Sequence, residues 1–261
     1  MLIDTHCHID AREFDADRSL VLSAARAASV LKIVVPAVER ANFGAVASIC
    51  REDPNCAAAF GIHPLCVGRS RTEDLSALRE MLCAHPAVAV GEIGLDFYVE
   101  QRDEPLQEHF FVEQLKLARE LDLPVILHVR RAVDAVLKQL RRIRVAGGIA
   151  HAFNGSRQQA DEFIRLGFKL GFGGAMTFPR ALRIRELAAT LPLDAIVLET
   201  DAPDIPPLWL EGKRNQPAEL PRIATTLAEL RGLPMAMVVQ ATSANACTAL
   251  PKLQSVQIGM A

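Results

Sequence analysis

Six residues able to bind a metal stand at the ends of short apolar runs spread over most of this 261-residue chain. They are His6 and His8 in D-T-H-C-H, Glu92 in G-E-I-G-L-D, His128 in V-I-L-H-V-R, His151 in G-I-A-H-A-F and Asp201 in L-E-T-D-A-P. Imidazole and carboxylate together suit divalent cations such as zinc, manganese and magnesium. His6 and His8 are two apart, so on a strand both rings project from one face. An H-x-H pair alone is a weak signal. Here His128 and His151 each end a run of their own, so four of the seven histidines in the chain would converge on one mouth. Four inward histidines without a ligand would each need a buried hydrogen-bond partner.

The carboxylates complete the set. Glu92 is expected to bridge two cations, one shared with His6, His8 and Asp201, the other with His128 and His151. Two cations about 3.5–4 Å apart clamp both the attacking and the leaving oxygen of a phosphoryl displacement. Asp201 is expected both to ligate and to accept a proton from the attacking water, held ionised by the adjacent cations. Glu199 and Asp4, each two residues before a ligand, are expected to orient a ligand histidine through its other ring nitrogen. His63 in G-I-H-P, Arg130, Lys213 and Arg214 are the candidate substrate contacts, the three cations forming a phosphate clamp. His85 and His109 read as solvated, and Cys7, which alternation turns away from its neighbours, reads as a packed thiol.

Something must bring these residues together. Strand-like runs are predicted over 2–6, 32–37, 57–62, 88–92, 125–128, 148–151, 168–173 and 196–200. Amphipathic helical patterns separate them, at 18–29, 40–51, 72–84, 104–121, 131–143, 156–166 and 180–190. Two more, at 218–231 and 234–249, follow the last strand. Ser156 is placed to cap its helix, and Pro124 and Pro192 end or follow theirs. A strand–helix unit repeated eight times, with ligands only at strand ends, predicts an α/β fold. That fold is a single (β/α)8 TIM barrel with extra C-terminal helices, which needs about 250 residues. One domain is expected over 1–253, with a disordered tail over 254–261.

Composition narrows the function. Half of the residues are hydrophobic, which is enough for a sizeable core, and 29 basic against 31 acidic residues leave a net charge of −2. That balance excludes a polybasic nucleic-acid coat, but not an enzyme that meets phosphate inside its pocket. The six cysteines show no C-x-x-C spacing and read as reduced thiols. No apolar run approaches the ~20 residues of a membrane span, and the chain starts without a signal-peptide pattern. A cytoplasmic monomer is the expectation.

Taken in order, the motifs resemble the TatD family of metal-dependent deoxyribonucleases, within the wider amidohydrolase-type barrels. The resemblance rests on D-T-H-C-H at 4–8, G-I-H-P at 61–64, G-E-I-G-L-D-F-Y at 91–98 and L-P-V-I-L-H-V-R-R-A at 123–132. It continues through H-A-F-N-G-S at 151–156, L-E-T-D-A-P at 198–203 and K-R-N-Q-P at 213–217, and looks most like the YjjV-type branch. It implies a TIM barrel, the same six ligands, and hydrolysis of DNA phosphodiester bonds at a two-metal site. The implied substrate is DNA with single-stranded or frayed ends, and His63 and Arg130 would lie near its phosphate. Leu65 and Asp204 depart from the family's usual histidine and aromatic at those places, which bears on substrate preference. The alternative is a related barrel hydrolase acting on a small ester, lactone, amide or phosphoester. Such relatives often bridge their metals with a carbamylated lysine where this chain has Glu92.

Overall fold

Eight parallel strands pair in chain order, as a (β/α)8 barrel requires. The computed structural model describes residues 1–255. The strands are β1 Leu2–Asp4, β2 Val30–Pro36, β3 Cys56–Phe60, β4 Ala89–Asp96, β5 Val125–Arg130, β6 Gly148–Ala150, β7 Phe168–Phe172 and β8 Ile196–Leu198. The connecting helices are α1 Arg18–Ala27, α2 Phe43–Glu52, α3 Glu73–Ala84, α4 Glu104–Glu120, α5 Val133–Arg142, α6 Arg157–Arg165 and α7 Leu182–Thr190. α8 Leu220–Arg231 and α9 Met235–Ala249 follow β8. Hydrogen bonds from Thr5 N to Leu198 O (3.1 Å) and from Asp201 N to His6 O (2.8 Å) bridge the seam between β8 and β1.

Every predicted strand and helix is present, with shifted ends. β1 stops two residues short of His6, β6 stops one short of His151 and β8 stops three short of Asp201, whereas β4 runs on to Asp96 and β5 to Arg130. Ser156 caps α6 as expected, in a capping box with Gln159. Of the expected tail, residues 256–261 lie outside the described part, and Pro251–Ser255 form a short 3-10 helix. No helix among the described residues is long and apolar enough to cross a membrane.

The core has two parts, because each strand buries both faces. Ile33, Val35, Phe60, Leu127, Phe168 and Leu198 face the helices. Ile3, Val34, Ala57, Ala59, Ala89, Ile126, Ile149 and Val197 form a separate cluster inside the barrel, together with Ala246, Ala249, Leu250 and Leu253 from α9 and the turn after it. Small alanines on β3 and β4 leave room for the isoleucines of β5 and β6, so the interior is packed rather than open. α9 therefore plugs the end of the barrel opposite the expected site. Asn245 ties it there, donating to Leu193 O (2.8 Å) and Ile196 O (2.7 Å).

Candidate metal centre

Alternation along the strands explains how most of the site residues come to face the axis. Ile126, Ile149 and Val197 belong to the interior cluster. Residues two and four further on share their face, which places His128, His151, Glu199 and Asp201 at the mouth. β1 and β4 start out of phase with this pattern. In β4 the pairing passes from Val90↔Val125 to Ile93↔Leu127, three steps against two, so one extra residue is inserted. Such a bulge re-aims the side chains beyond it. Ile93 and Leu95 then pack outward, while Glu92 and Asp96 face in. Gly94 follows the bulge at φ +149°, where an added Cβ would lie 2.0 Å from His128 O, so only glycine fits. In β1 the switch comes after Asp4: Thr5 N bonds toward β8 at Leu198 O, and Cys7 N bonds toward β2 at Val34 O. Cys7 is buried as expected, and His6 and His8 face the mouth together.

Glu92 is the centre of the cluster. Its Oε1 lies 2.8 Å from His151 Nε2, 2.9 Å from His128 Nδ1 and 3.3 Å from His63 Nε2. Its Oε2 lies 3.3 Å from His6 Nε2 and 3.5 Å from His8 Nε2. Asp201 Oδ1 closes the second set, at 3.5 Å from His6 Nε2 and 3.7 Å from His8 Nε2. The carboxylate thus shows a different oxygen to each group of imidazoles.

Hydrogen-bond partners decide which ring nitrogen is free to ligate. His8 Nδ1 is 3.2 Å from Pro36 O, an acceptor only, so Nδ1 carries the proton and Nε2 offers its lone pair inward. His128 Nε2 is 2.9 Å from Asp96 Oδ2, which by the same logic frees Nδ1. His63 is the opposite case. Leu65 N donates to His63 Nδ1 (3.1 Å), so the ring proton sits on Nε2. His63, Glu92 and His128 approach closely enough to hold a cation, but this tautomer makes His63 a donor instead.

The donor set fits divalent cations. His6 Nε2 and His8 Nε2 face each other at 3.2 Å, where two lone pairs need a cation or a proton between them. Burial pushes the imidazole of His151 down, but Glu92 and Asp201 outweigh it and raise it to about 10. His8 behaves likewise, burial being overcome by Glu92, and reaches about 9. Burial, reinforced by His151, keeps His6 well below its ordinary value. Glu92 is itself driven upward by burial, yet the imidazoles of His63, His151 and His6 hold it well below the carboxylate range. Bound at these donors, a divalent cation would take the place of imidazole protons. Burial raises the Asp201 carboxyl, against the lowering by His151 and His8.

The two supporting acids are placed differently from their predicted roles. Asp4 does not reach the His6 ring. Its oxygens accept from Thr200 N (2.9 Å), Thr200 Oγ1 (2.6 Å) and the backbone N of His6 (3.3 Å), so it binds β1 to the loop bearing Asp201. Burial raises it to about 7. Glu199 comes only to 3.9 Å from His151 Nδ1, beyond hydrogen-bond reach, because its Oε1 is taken by Ala152 N. Burial raises Glu199 to about 8, and Glu199 Oε2, His151 Nδ1 and His6 Nδ1 are buried with no partner. The residue that does hold the ring of a candidate ligand is Asp96, overlooked in the sequence although it stands four after Glu92 on the same strand. Asn215 was overlooked as well. Fully buried, it donates to Thr200 O (2.8 Å), Asp204 O (2.9 Å) and Ile205 O (3.2 Å), gathering the loop in which Asp201 sits at φ 58°.

The basic residues separate. Arg130 ends β5 at the mouth, exposed, with its guanidinium carbon 3.8 Å from the Tyr98 ring centre. Arg214 is drawn away from the expected clamp. Its guanidinium bonds Asp17 at 2.7 and 2.9 Å and Glu13 O at 2.6 Å, so it fastens the β8 loop to the segment before α1. Lys213 is exposed beside it. Leu65 and Asp204 are both exposed, as expected of rim residues, and His109 is exposed in α4. His85 is half-buried against Phe60 (6.0 Å between ring centres), away from the cluster.

Comparison with known proteins agrees with this reading. Residues 3–251 match the model of the TatD related DNase family. The metal-dependent hydrolase YjjV of Escherichia coli (strain K12) is 42% identical over 249 residues, covering 94% of this chain and 96% of that protein. The metal-dependent hydrolase YabD of Bacillus subtilis (strain 168) is 34% identical over 248 residues, covering 94% and 97%. The crystal structure of the E. coli YjjV protein superposes with a TM-score of 0.93 at 41% identity, over 96% of this chain and 98% of that one. With the barrel, the six clustered candidate ligands and these relatives in hand, the chain belongs to the TatD related DNase family of metal-dependent hydrolases.

Proposed function

We propose that this protein hydrolyses phosphodiester bonds of DNA, removing nucleotides from single-stranded or frayed ends, at a centre of two divalent cations. The observation that supports this most is the division of Glu92, one oxygen toward His6 and His8 and the other toward His128 and His151. His6, His8, Asp201 and Glu92 Oε2 would hold one cation. His128, His151 and Glu92 Oε1 would hold the other. Magnesium, manganese and zinc all suit the centre, imidazole favouring the last two. Bound cations supply Lewis acidity, polarising the phosphoryl group and acidifying water. A 3'-5' ssDNA/RNA exonuclease TatD from Cronobacter sakazakii (strain ATCC BAA-894), 34% identical over 252 residues, supports a nucleic-acid substrate.

The protein's own groups have distinct tasks. Asp201 is the acid open to the mouth, its side chain 13% exposed against 2% for Glu92, and it takes the proton of the attacking water on a carboxylate oxygen. His63 Nε2–H and the Arg130 guanidinium donate to phosphoryl oxygens, where negative charge builds up. A carbonyl hydrolase of the lysine-bridged kind is disfavoured, since Glu92 occupies the bridging place.

End-labelled single- and double-stranded DNA, incubated with the protein and each metal in turn, tests the reading. In single-turnover measurements at saturating metal, Asp201→Asn should slow cleavage roughly 100-fold or more. A near wild-type rate would move the proton acceptor elsewhere, with Glu199 next to be tried.

A further inference from the structure

β4 and β5 extend the barrel wall beyond the metal cluster, pairing Leu95 with Val129 and Asp96 with Arg130. Past that ladder Phe97 N donates to Arg130 O (2.8 Å), and Tyr98 N donates to Asp96 Oδ1 (2.9 Å). The other oxygen of Asp96 orients the ligand His128. One buried carboxylate therefore holds both a metal ligand and the backbone of Tyr98, which fixes Tyr98 relative to the centre.

Tyr98 is the single tyrosine of the chain, and its side chain is not packed away: the residue is 47% exposed. The guanidinium carbons of Arg130 and Arg131 lie 3.8 and 4.7 Å from its ring centre. Among the described residues neither guanidinium makes a hydrogen bond or ion pair with the protein, although the charge of Arg130 helps to lower the Asp96 carboxyl. Stacking occupies the π face of a guanidinium and leaves its in-plane N–H groups for phosphate oxygens. An aromatic ring beside unpaired cations is the equipment with which proteins hold single strands, bases stacking while the backbone is neutralised.

We infer that Tyr98 and Arg131, beside the Arg130 that faces the reacting phosphoryl group, form a subsite that grips the base and phosphate next to the scissile bond. This rests on the phosphodiesterase reading above. A small diester has no neighbouring phosphate or base to offer the grip, whereas an oligonucleotide has both.

The test compares Tyr98→Ala and Arg131→Ala with the wild type on a single-stranded oligonucleotide and on bis(p-nitrophenyl) phosphate, with Tyr98→Phe as the conservative variant. The ratio of kcat/KM for oligonucleotide to that for the small diester should fall about 10-fold or more in each alanine variant, mainly through KM. Tyr98→Phe should restore most of it. Equal losses on both substrates, or an unchanged ratio, would overturn the grip and leave the phosphodiesterase reading intact. Anisotropy of a labelled oligonucleotide gives a readout independent of turnover. Salt-sensitive binding that weakens in both alanine variants, without cleavage by the wild type, would keep the grip and remove the phosphodiesterase reading. Neither binding nor cleavage by the wild type would remove both.

Discussion

Asp96 Oδ2 meets the outer nitrogen of His128 at 2.9 Å, and this contact determines which nitrogen His128 turns toward Glu92. A carboxylate behind a ligand imidazole holds the ring, selects its tautomer and raises its basicity. Burial works against the charge on Asp96, but His128 and the Tyr98 N–H outweigh it, and its carboxyl lies below the usual aspartate value. Asp96→Asn keeps an acceptor for Tyr98 N while removing the charge. It should weaken metal binding by about 10- to 100-fold, seen by calorimetric titration. Affinity equal to wild type would show that the contact has no part in holding metal.

Glu92 is the common member of both ligand sets, and it is almost fully buried. Glu92→Gln preserves shape and removes the shared charge, so metal content should fall to half of the wild-type value or less. Elemental analysis after desalting measures this. Two tightly held ions in the variant would refute the bridging role.

His63 gives a sharper test, because proximity and tautomer point in different directions. If Nε2–H is a donor, His63→Ala should keep the full metal content and lose on the order of 100-fold in kcat/KM, the scale for one lost oxyanion donor. Loss of a metal ion in that variant would make His63 a ligand instead.

Stability in acid depends on groups far from the centre. Arg71 N donates to Asp74 (3.0 Å) and Arg40 pairs with it (3.0 Å), and these contacts depress the Asp74 carboxyl below its ordinary value. A depressed carboxyl adds stability that is present above the unfolded pKa of about 3.9 and lost as pH falls through the folded value. The Tm difference between wild type and Asp74→Asn should thus be constant from neutral pH to about pH 5 and shrink below about pH 4. A difference independent of pH would mean that the ion pair contributes nothing through its charge.

The sequence by itself determined the repeated unit and the chemistry available to it. Apolar periodicity and turn residues are local properties of a chain, so eight strands, their helices and the Ser156 cap could be read directly. So could the meeting of the six candidate ligands, because D-T-H-C-H, G-E-I-G-L-D and L-E-T-D-A-P announce their residue types and a parallel barrel sends every strand end to one mouth. Tertiary structure alone decided what each side chain meets. The extra residue in β4 is invisible without β5 beside it, yet it turns Glu92 and Asp96 inward. The ring protons of His8 and His63 follow from Pro36 O and Leu65 N, and strand spacing says nothing of either. Arg214 looked available for phosphate until Asp17, 197 residues earlier in the chain, was found against it. Glu199 had the right spacing to support His151 but spends its oxygen on Ala152 N. Spacing along a strand specifies which face a residue shares. Hydrogen bonds and charges act through space, and their partners exist only once the barrel has closed.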